Sequence, residues 1–358
     1  MKKILLVLSL SVTLLSCENK TSTHVRTFDL PEIAEYLKAD IKNSEVTILN
    51  STGMAICDDY LVILDDTQTD LFKVYKLPEL DYLYSWGAQG KGPEEFIRVH
   101  GASLRGYKNQ LELVDNRQIK IFKILDDRMV MIEKIETPIL ENPVNGMQRV
   151  SDSMFFADNV MSDPSHEHIM LNLKSTEIGV KFGRYPTIGA TIPDAIQNYR
   201  LFTKWVASNP DLGRFVAFYQ HLGMIKIYDR DGQLMQEISI NDPELEKVST
   251  EPNVENKMYF AISYATENYV TIFRVNKTES ELASEIDNFK PELLIWDWDG
   301  NFIGHCRLDM PVTRYAVSEK HQALYGVFPL KENEIFRFDL STIMKNGENP
   351  NASEISSM

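Results

Sequence analysis

Ile225-Lys226-Ile227-Tyr228-Asp229-Arg230-Asp231-Gly232, followed by Gln233-Leu234-Met235-Gln236-Glu237-Ile238, places two β-rich runs on either side of an Asp-Gly turn. Apolar residues at alternate positions mark a strand with one buried face, and Asp-Gly supplies the left-handed backbone of a tight hairpin. Trp296-Asp297-Trp298-Asp299-Gly300 repeats the turn. Working outward, the run before the turn recurs as Leu71-Phe72-Lys73-Val74-Tyr75, Ile119-Lys120-Ile121-Phe122, Ile169-Met170-Leu171-Asn172, Leu294-Ile295-Trp296 and Ile335-Phe336-Arg337-Phe338. Each is read as the third strand of a repeated unit. The spacing from Tyr75 to Phe338 averages about 53 residues per unit, the length of a four-stranded propeller blade.

A length of 358 residues would otherwise suggest two or three domains. The repeat replaces that division with one all-β ring, a six-bladed β-propeller with four-stranded blades over residues 44–340. The longest interval holds the charged stretch Lys277 to Phe289, expected as a loop insertion in blade 5. Ring closure follows from a missing strand: the tail, residues 341–358, is polar and offers no outer strand for blade 6. The N-terminal run Glu45-Val46-Thr47-Ile48-Leu49-Asn50 is expected to supply it, because pairing removes the open edge between the first and last blades.

Hydrophobic residues at 43% and charged residues at 25% are those of a folded protein and exclude a disordered chain. The formal charge of −15 repels polyanions, so no nucleic-acid partner is expected. At the N-terminus, Lys2 and Lys3 precede an apolar run from Ile4 to Leu15. That run is too short to span a bilayer and has the form of a signal-peptide core. Residues 1–16 are therefore read as a signal peptide. Leu14-Leu15-Ser16-Cys17 resembles the bacterial lipobox, which implies acylation of Cys17 and anchoring at the cell envelope, with the outer membrane as destination and its face left open. Residues 17–43 are expected as a lipidated tether, with a short helix opening at Asp29-Leu30-Pro31-Glu32.

Three further stretches carry a family resemblance. Leu113-Val114-Asp115-Asn116-Arg117-Gln118-Ile119-Lys120-Ile121-Phe122 resembles the NHL-type propeller repeat. Ser208-Asn209-Pro210-Asp211-Leu212-Gly213-Arg214-Phe215 resembles the Ser-Pro-Asp-Gly turn of TolB-like propellers, in altered form. Gly87-Ala88-Gln89-Gly90-Lys91-Gly92-Pro93-Glu94-Glu95-Phe96 is similar to a linker of six-bladed propeller lipoproteins of Gram-negative bacteria. The resemblance covers roughly residues 44 to 340 and implies the fold and the lipoprotein class without an agreed activity. Trp-Asp pairs occur in one repeat only, without an upstream Gly-His, and there is no Gly-Gly pair, which sets WD40 and kelch aside.

Chemistry-bearing motifs are few. The glycine-rich linker lacks the Ser or Thr after Lys91 that a phosphate loop requires, and it reads as a turn between blades with Phe96 packed between them. Gly101-Ala102-Ser103-Leu104-Arg105-Gly106 has one residue too many for a nucleophile elbow and reads as the end of an inner strand. His166-Glu167-His168 follows Asp163-Pro164-Ser165 and is expected in an exposed hairpin. Cys57 and Cys306 are expected as buried free thiols on different blades. No catalytic residue and no resident cofactor are assigned. The ligand-binding candidates, placed at the mouth where inner strands begin, are Arg98, His100, Gln148, Arg149, Trp205, Arg314 and Tyr315. Cationic and aromatic groups on an acidic protein suit an anionic or sugar-like ligand. The expected function is a non-catalytic binding or interaction module for an envelope protein, peptide or glycan. The alternative is a calcium-dependent propeller hydrolase, lactonase or lyase, for which Glu94, Asn145 and Asn256 could supply oxygen ligands.

Overall fold

The computed structural model describes residues 24–92, 94–107, 109–137, 146–158, 165–174, 177–188, 195–245, 247–251 and 254–347. Six antiparallel sheets follow one another around a common axis. Blade 1 consists of Ser51–Cys57, Tyr60–Asp65, Asp70–Lys76 and Asp81–Ala88. Blade 2 consists of Arg105–Tyr107, Gln110–Asp115, Gln118–Ile124 and Met129–Glu136. Gln148–Arg149, Met154–Asp158, His168–Asn172 and Glu177–Phe182 form blade 3. Lys204–Asn209, Arg214–Tyr219, Met224–Asp229 and Leu234–Asn241 form blade 4. Blade 5 contains Met258–Ala265, Tyr269–Lys277, Glu292–Asp297 and Phe302–Leu308. Blade 6 takes Arg314–Ser318, Ala323–Val327 and Glu334–Asp339 from the C-terminal end and Asp40–Asn43 from the N-terminal end.

All six runs singled out from the sequence are third strands. The Asp-Gly turns join third to fourth strands in blades 4 and 5, and they are built alike. Asp229 Oδ1 accepts from the amides of Asp231 and Gln233, and Asp297 Oδ1 accepts from those of Asp299 and Asn301. Gly232 and Gly300 take φ of +76° and +81°, which a residue with a Cβ rarely adopts. The insertion in blade 5 joins its second and third strands and holds a helix, Glu279–Glu285, closed by a capping box of Thr278 and Glu281.

Closure by an N-terminal strand holds, but the strand is Asp40–Asn43, paired with Glu334–Arg337. Residues 45–50, expected in that role, form no strand; they run alongside, with Ile48 N–H donating to the Glu332 carbonyl. Asp65 accepts the Leu49 amide at 2.7 Å and ties the end of this segment to blade 1. The tether also differs from expectation. His24–Asp29 adds to the fourth strand of blade 4 and Glu35–Leu37 to that of blade 5, both parallel. Residues 30–34 are not helical: the Ala34 amide donates to the His305 carbonyl, and the Pro31 carbonyl sits 2.9 Å from His305 Nδ1. Phe28 packs at 5.0 Å from both Trp296 and Phe302, stapling blade 4 to blade 5. Residues 24–43 thus form a strap on the ring. The polar tail begins with another correction, a helix at Ser341–Gly347 that buries Ile343 and Met344 against blade 5. Cys17, the signal segment and residues 348–358 lie outside the described residues.

Between blades, Phe96 meets Phe72, Trp86 and Phe122 at ring separations of 5.1, 5.6 and 5.8 Å, as expected of the glycine-rich linker. Cys57 and Cys306 are free and buried, on the inner strand of blade 1 and the outer strand of blade 5, and burial pushes both thiols up. Buried charges recur at the ends of second strands. Asp65 pairs with Lys73 at 3.9 Å and Asp115 with Lys120 at 2.8 Å. Asp115 also accepts the amides of Ile97 and Arg98, so one carboxylate holds both the blade and the loop leading into it.

Two predictions follow from the packing. A chain starting at Ser44 loses three edge strands and the Phe28 staple and melts roughly 10 °C or more below one starting at His24; equal melting temperatures would contradict the strap. In blade 5, burial raises the Glu292 carboxyl, but hydrogen bonds from His305 and Arg307 and the charge of Arg274 outweigh it and hold the pKa at about 2. A carboxyl depressed from 4.5 to about 2 contributes stability above pH ~4.5 that disappears as pH falls toward 2, on the order of 3 kcal/mol. Glu292→Gln therefore lowers stability at pH 7, and urea titrations across pH 5 to 2 show its difference from the parent shrinking.

Candidate functional site

Inner strands of blades 1, 4, 5 and 6, with the segments leading into blades 2 and 3, surround a cavity of about 410 Å³ on the axis. Lys204 and Trp205 open the inner strand of blade 4, and Arg314 and Tyr315 open that of blade 6. His100 stands in the loop before blade 2, and Ile262 to Tyr264 line the wall from blade 5. Turns between second and third strands flank the same mouth, as Gln220 shows.

Four of the seven expected residues meet here: His100, Trp205, Arg314 and Tyr315. The other three do not line the cavity. Arg149 is buried and bound to Glu112, with Nε at 2.6 Å and Nη2 at 2.5 Å, its guanidinium 4.8 Å from the Phe155 ring centre. Gln148 is buried beside it and receives the Ser208 hydroxyl at 3.5 Å. Arg98 is exposed on the loop pinned by Asp115. Inner-strand position was legible in the sequence, whereas the cross-blade partner that consumes Arg149 was not.

Each member of the cavity has a distinct state. Trp205 is half-buried, and its indole N–H is enclosed without a hydrogen-bond partner. Arg314 donates to the carbonyls of Thr52 at 3.2 Å and Thr313 at 2.6 Å, both neutral acceptors; burial lowers its pKa, against the opposing charge of Asp66. The Tyr315 hydroxyl is committed inward, donating to the Ile262 carbonyl and lying 3.0 Å from Thr271 Oγ1. Burial, joined by the charge of Arg98, pushes the His100 imidazole below its ordinary value, favouring the neutral ring.

Lys204 is the residue missed from the sequence. Burial opposes its charge, but Asp158 at 3.8 Å and Glu167 at 3.5 Å outweigh it and raise its pKa. Glu167 also takes Lys226 at 3.0 Å and the Tyr219 hydroxyl at 2.5 Å. The stretch expected as an exposed hairpin thus contains Glu167 and His168 in the interior, with Ser165 exposed and His166 half-buried. Partners from blade 4 pull Glu167 inward, a long-range effect invisible in the local turn sequence.

Tyr264 lines a second cavity as well, of about 370 Å³, at the opposite mouth. Its hydroxyl accepts from the Ile56 amide at 3.0 Å, and Arg105 reaches Ser208 Oγ at 2.7 Å. These side chains narrow the channel between the two mouths. The second mouth is acidic, with Asp58, Asp211, Glu267 and Glu319 around it. Of the calcium-ligand candidates, Glu94 is exposed in the linker and Asn256 spends its amide on Ser249; neither lines the channel cavity. Asn145 lies outside the described residues. Among the described residues, no three His, Cys, Asp or Glu side chains are grouped to hold a metal ion.

The profile of the TolB-like 6-blade propeller-like family matches residues 41–320. This chain belongs to that family. Two solved structures share the TolB-like propeller fold. One is a member of the DUF4221 family from Bacteroides vulgatus, 12% identical, with a TM-score of 0.55 over 85% of this chain and 97% of that one. The other is a putative exported protein from Bacteroides fragilis, 11% identical, with a TM-score of 0.52 over 88% of this chain and 98% of that one. No curated protein matches the chain. The match begins inside the closing strand of this TolB-like propeller, so most of the strap precedes it.

Lys204→Met strips the cation from two buried carboxylates and lowers unfolding stability by about 3–5 kcal/mol in urea. A loss under about 1 kcal/mol would contradict the pairing.

Proposed function

We propose that this TolB-like propeller is a lipid-anchored, non-catalytic binding protein of the cell envelope. Its ligand is an anionic glycan, or an acidic segment of a protein or peptide, taken at the Trp205 mouth. One observation carries the reading: the half-buried Trp205 indole shares a cavity wall with Arg314, whose hydrogen bonds go to neutral backbone carbonyls. The indole face stacks on sugar C–H or peptide surfaces, and a guanidinium recognises carboxylates in paired geometry. Lys204 adds little net field, because Asp158 and Glu167 already balance it.

The envelope reading rests on Lys2-Lys3, the Ile4 to Leu15 run and Cys17. A structural neighbour that is a putative exported protein supports it. No described helix is long and apolar enough to cross a membrane.

Indole fluorescence tests the site. A trimeric uronic-acid oligosaccharide shifts the emission of the parent protein more than its neutral counterpart does, with an acidic peptide as a third probe. Arg314→Gln weakens binding of the acidic sugar at least ten-fold, and Trp205→Phe removes most of the shift. Unchanged affinity in both variants would place the site elsewhere.

A further inference from the structure

We infer that the ring stands on the bilayer at one corner of blade 4, with the Trp205 cavity opening away from the membrane. This orientation rests on the proposed acylation of Cys17. Inner strands start at the cavity, so the hairpins joining first to second and third to fourth strands lie at the opposite mouth, as Asp211, Glu267 and Glu319 around it show. The fourth strand of blade 4 therefore starts at that hairpin face. His24–Asp29 runs parallel to it, with His24 beside Gln236, so the strap begins at the hairpin face of blade 4.

Seven residue steps separate Cys17 from His24. Bond lengths alone limit their reach to roughly 25 Å. A compact ring of this chain length is on the order of 50 Å across. The leash is thus shorter than the ring is wide, and the diagonally opposite corner, on the cavity face of blade 1, stays out of reach of the bilayer.

The corner itself suits a lipid surface. Val25 opens the strap 69% exposed, and Leu212, in the first hairpin of blade 4, is 50% exposed. The exposed Arg230 lies across Gly213, next to Leu212: a Cβ on that glycine would fall 2.6 Å from Arg230 Nε. The apolar side chains suit the acyl boundary, whereas Asp211 precedes Leu212 and Asp229 and Asp231 flank Arg230, so the short leash and not net charge brings this corner to the bilayer. Glu267 and Glu319, at the hairpins of blades 5 and 6, are repelled by anionic headgroups, so the ring tilts onto the corner and does not lie flat.

Full-chain protein in phosphatidylethanolamine/phosphatidylglycerol vesicles carrying nitroxide lipids tests this. A fluorophore is placed at Asp231→Cys, in the hairpin of blade 4, or at Thr69→Cys, at the cavity face of blade 1. Both positions are exposed, while the native Cys57 and Cys306 are buried. The Asp231→Cys probe is expected to be quenched several-fold more than the Thr69→Cys probe. A 30-residue Gly/Ser insertion between Asn19 and Lys20 reduces that difference. Acylated, vesicle-bound protein with equal quenching at both positions overturns the orientation alone. A mass spectrum showing Cys17 unacylated overturns the anchoring and the orientation with it.

Discussion

Closure of the ring is the constraint on which the rest depends. An open propeller would expose the edge of blade 6 and leave the outward-facing backbone groups of Glu334–Arg337 without partners. Asp40–Asn43 takes up that edge, joining the two ends of the chain in one sheet. The strap then continues the same logic outward, covering the fourth strands of blades 4 and 5. The central cavity exists because closure holds six inner strands at fixed angles around the axis. Arg314 donates to the Thr52 carbonyl across the seam between blades 6 and 1, so the binding wall and the closure share residues.

Buried charge supplies the second level of organisation. Ion pairs withdrawn from water add little net stability, yet losing one partner is costly, so they specify geometry more than they strengthen it. Asp115 ties Lys120 to the loop amides of Ile97 and Arg98, which positions the loop carrying His100. Glu167 draws Lys204 and Lys226 of blade 4 toward blade 3 and sets the start of the strand carrying Trp205. The scaffold uses its carboxylates to aim loops, and the cavity is formed by what those loops present.

The repeat was legible because strand alternation and Asp-Gly turns are local. Each run read as a third strand falls inside one, and the buried thiols and Phe96 were legible as well. What escaped was set by partners far along the chain. Glu167 looked like a hairpin residue because its cations lie 37 and 59 positions away, at Lys204 and Lys226. Residues 24–37 looked like a tether because parallel edge addition needs no hairpin and leaves no turn signal. Arg149 and Trp205 both belong to inner strands, but Glu112 takes one and nothing takes the other. Sequence supplied the right strands for the site; cross-blade pairing decided which side chains were left for a ligand.

Backbone hydrogen exchange at Asp40–Asn43 tests closure most directly. The amides that pair with Glu334–Arg337 are predicted to exchange only through global unfolding, with the same free energy as those of the inner strands. Exchange at the rate of a surface loop, while the inner strands remain protected, would show that the ring stands without its N-terminal strand and would contradict the account.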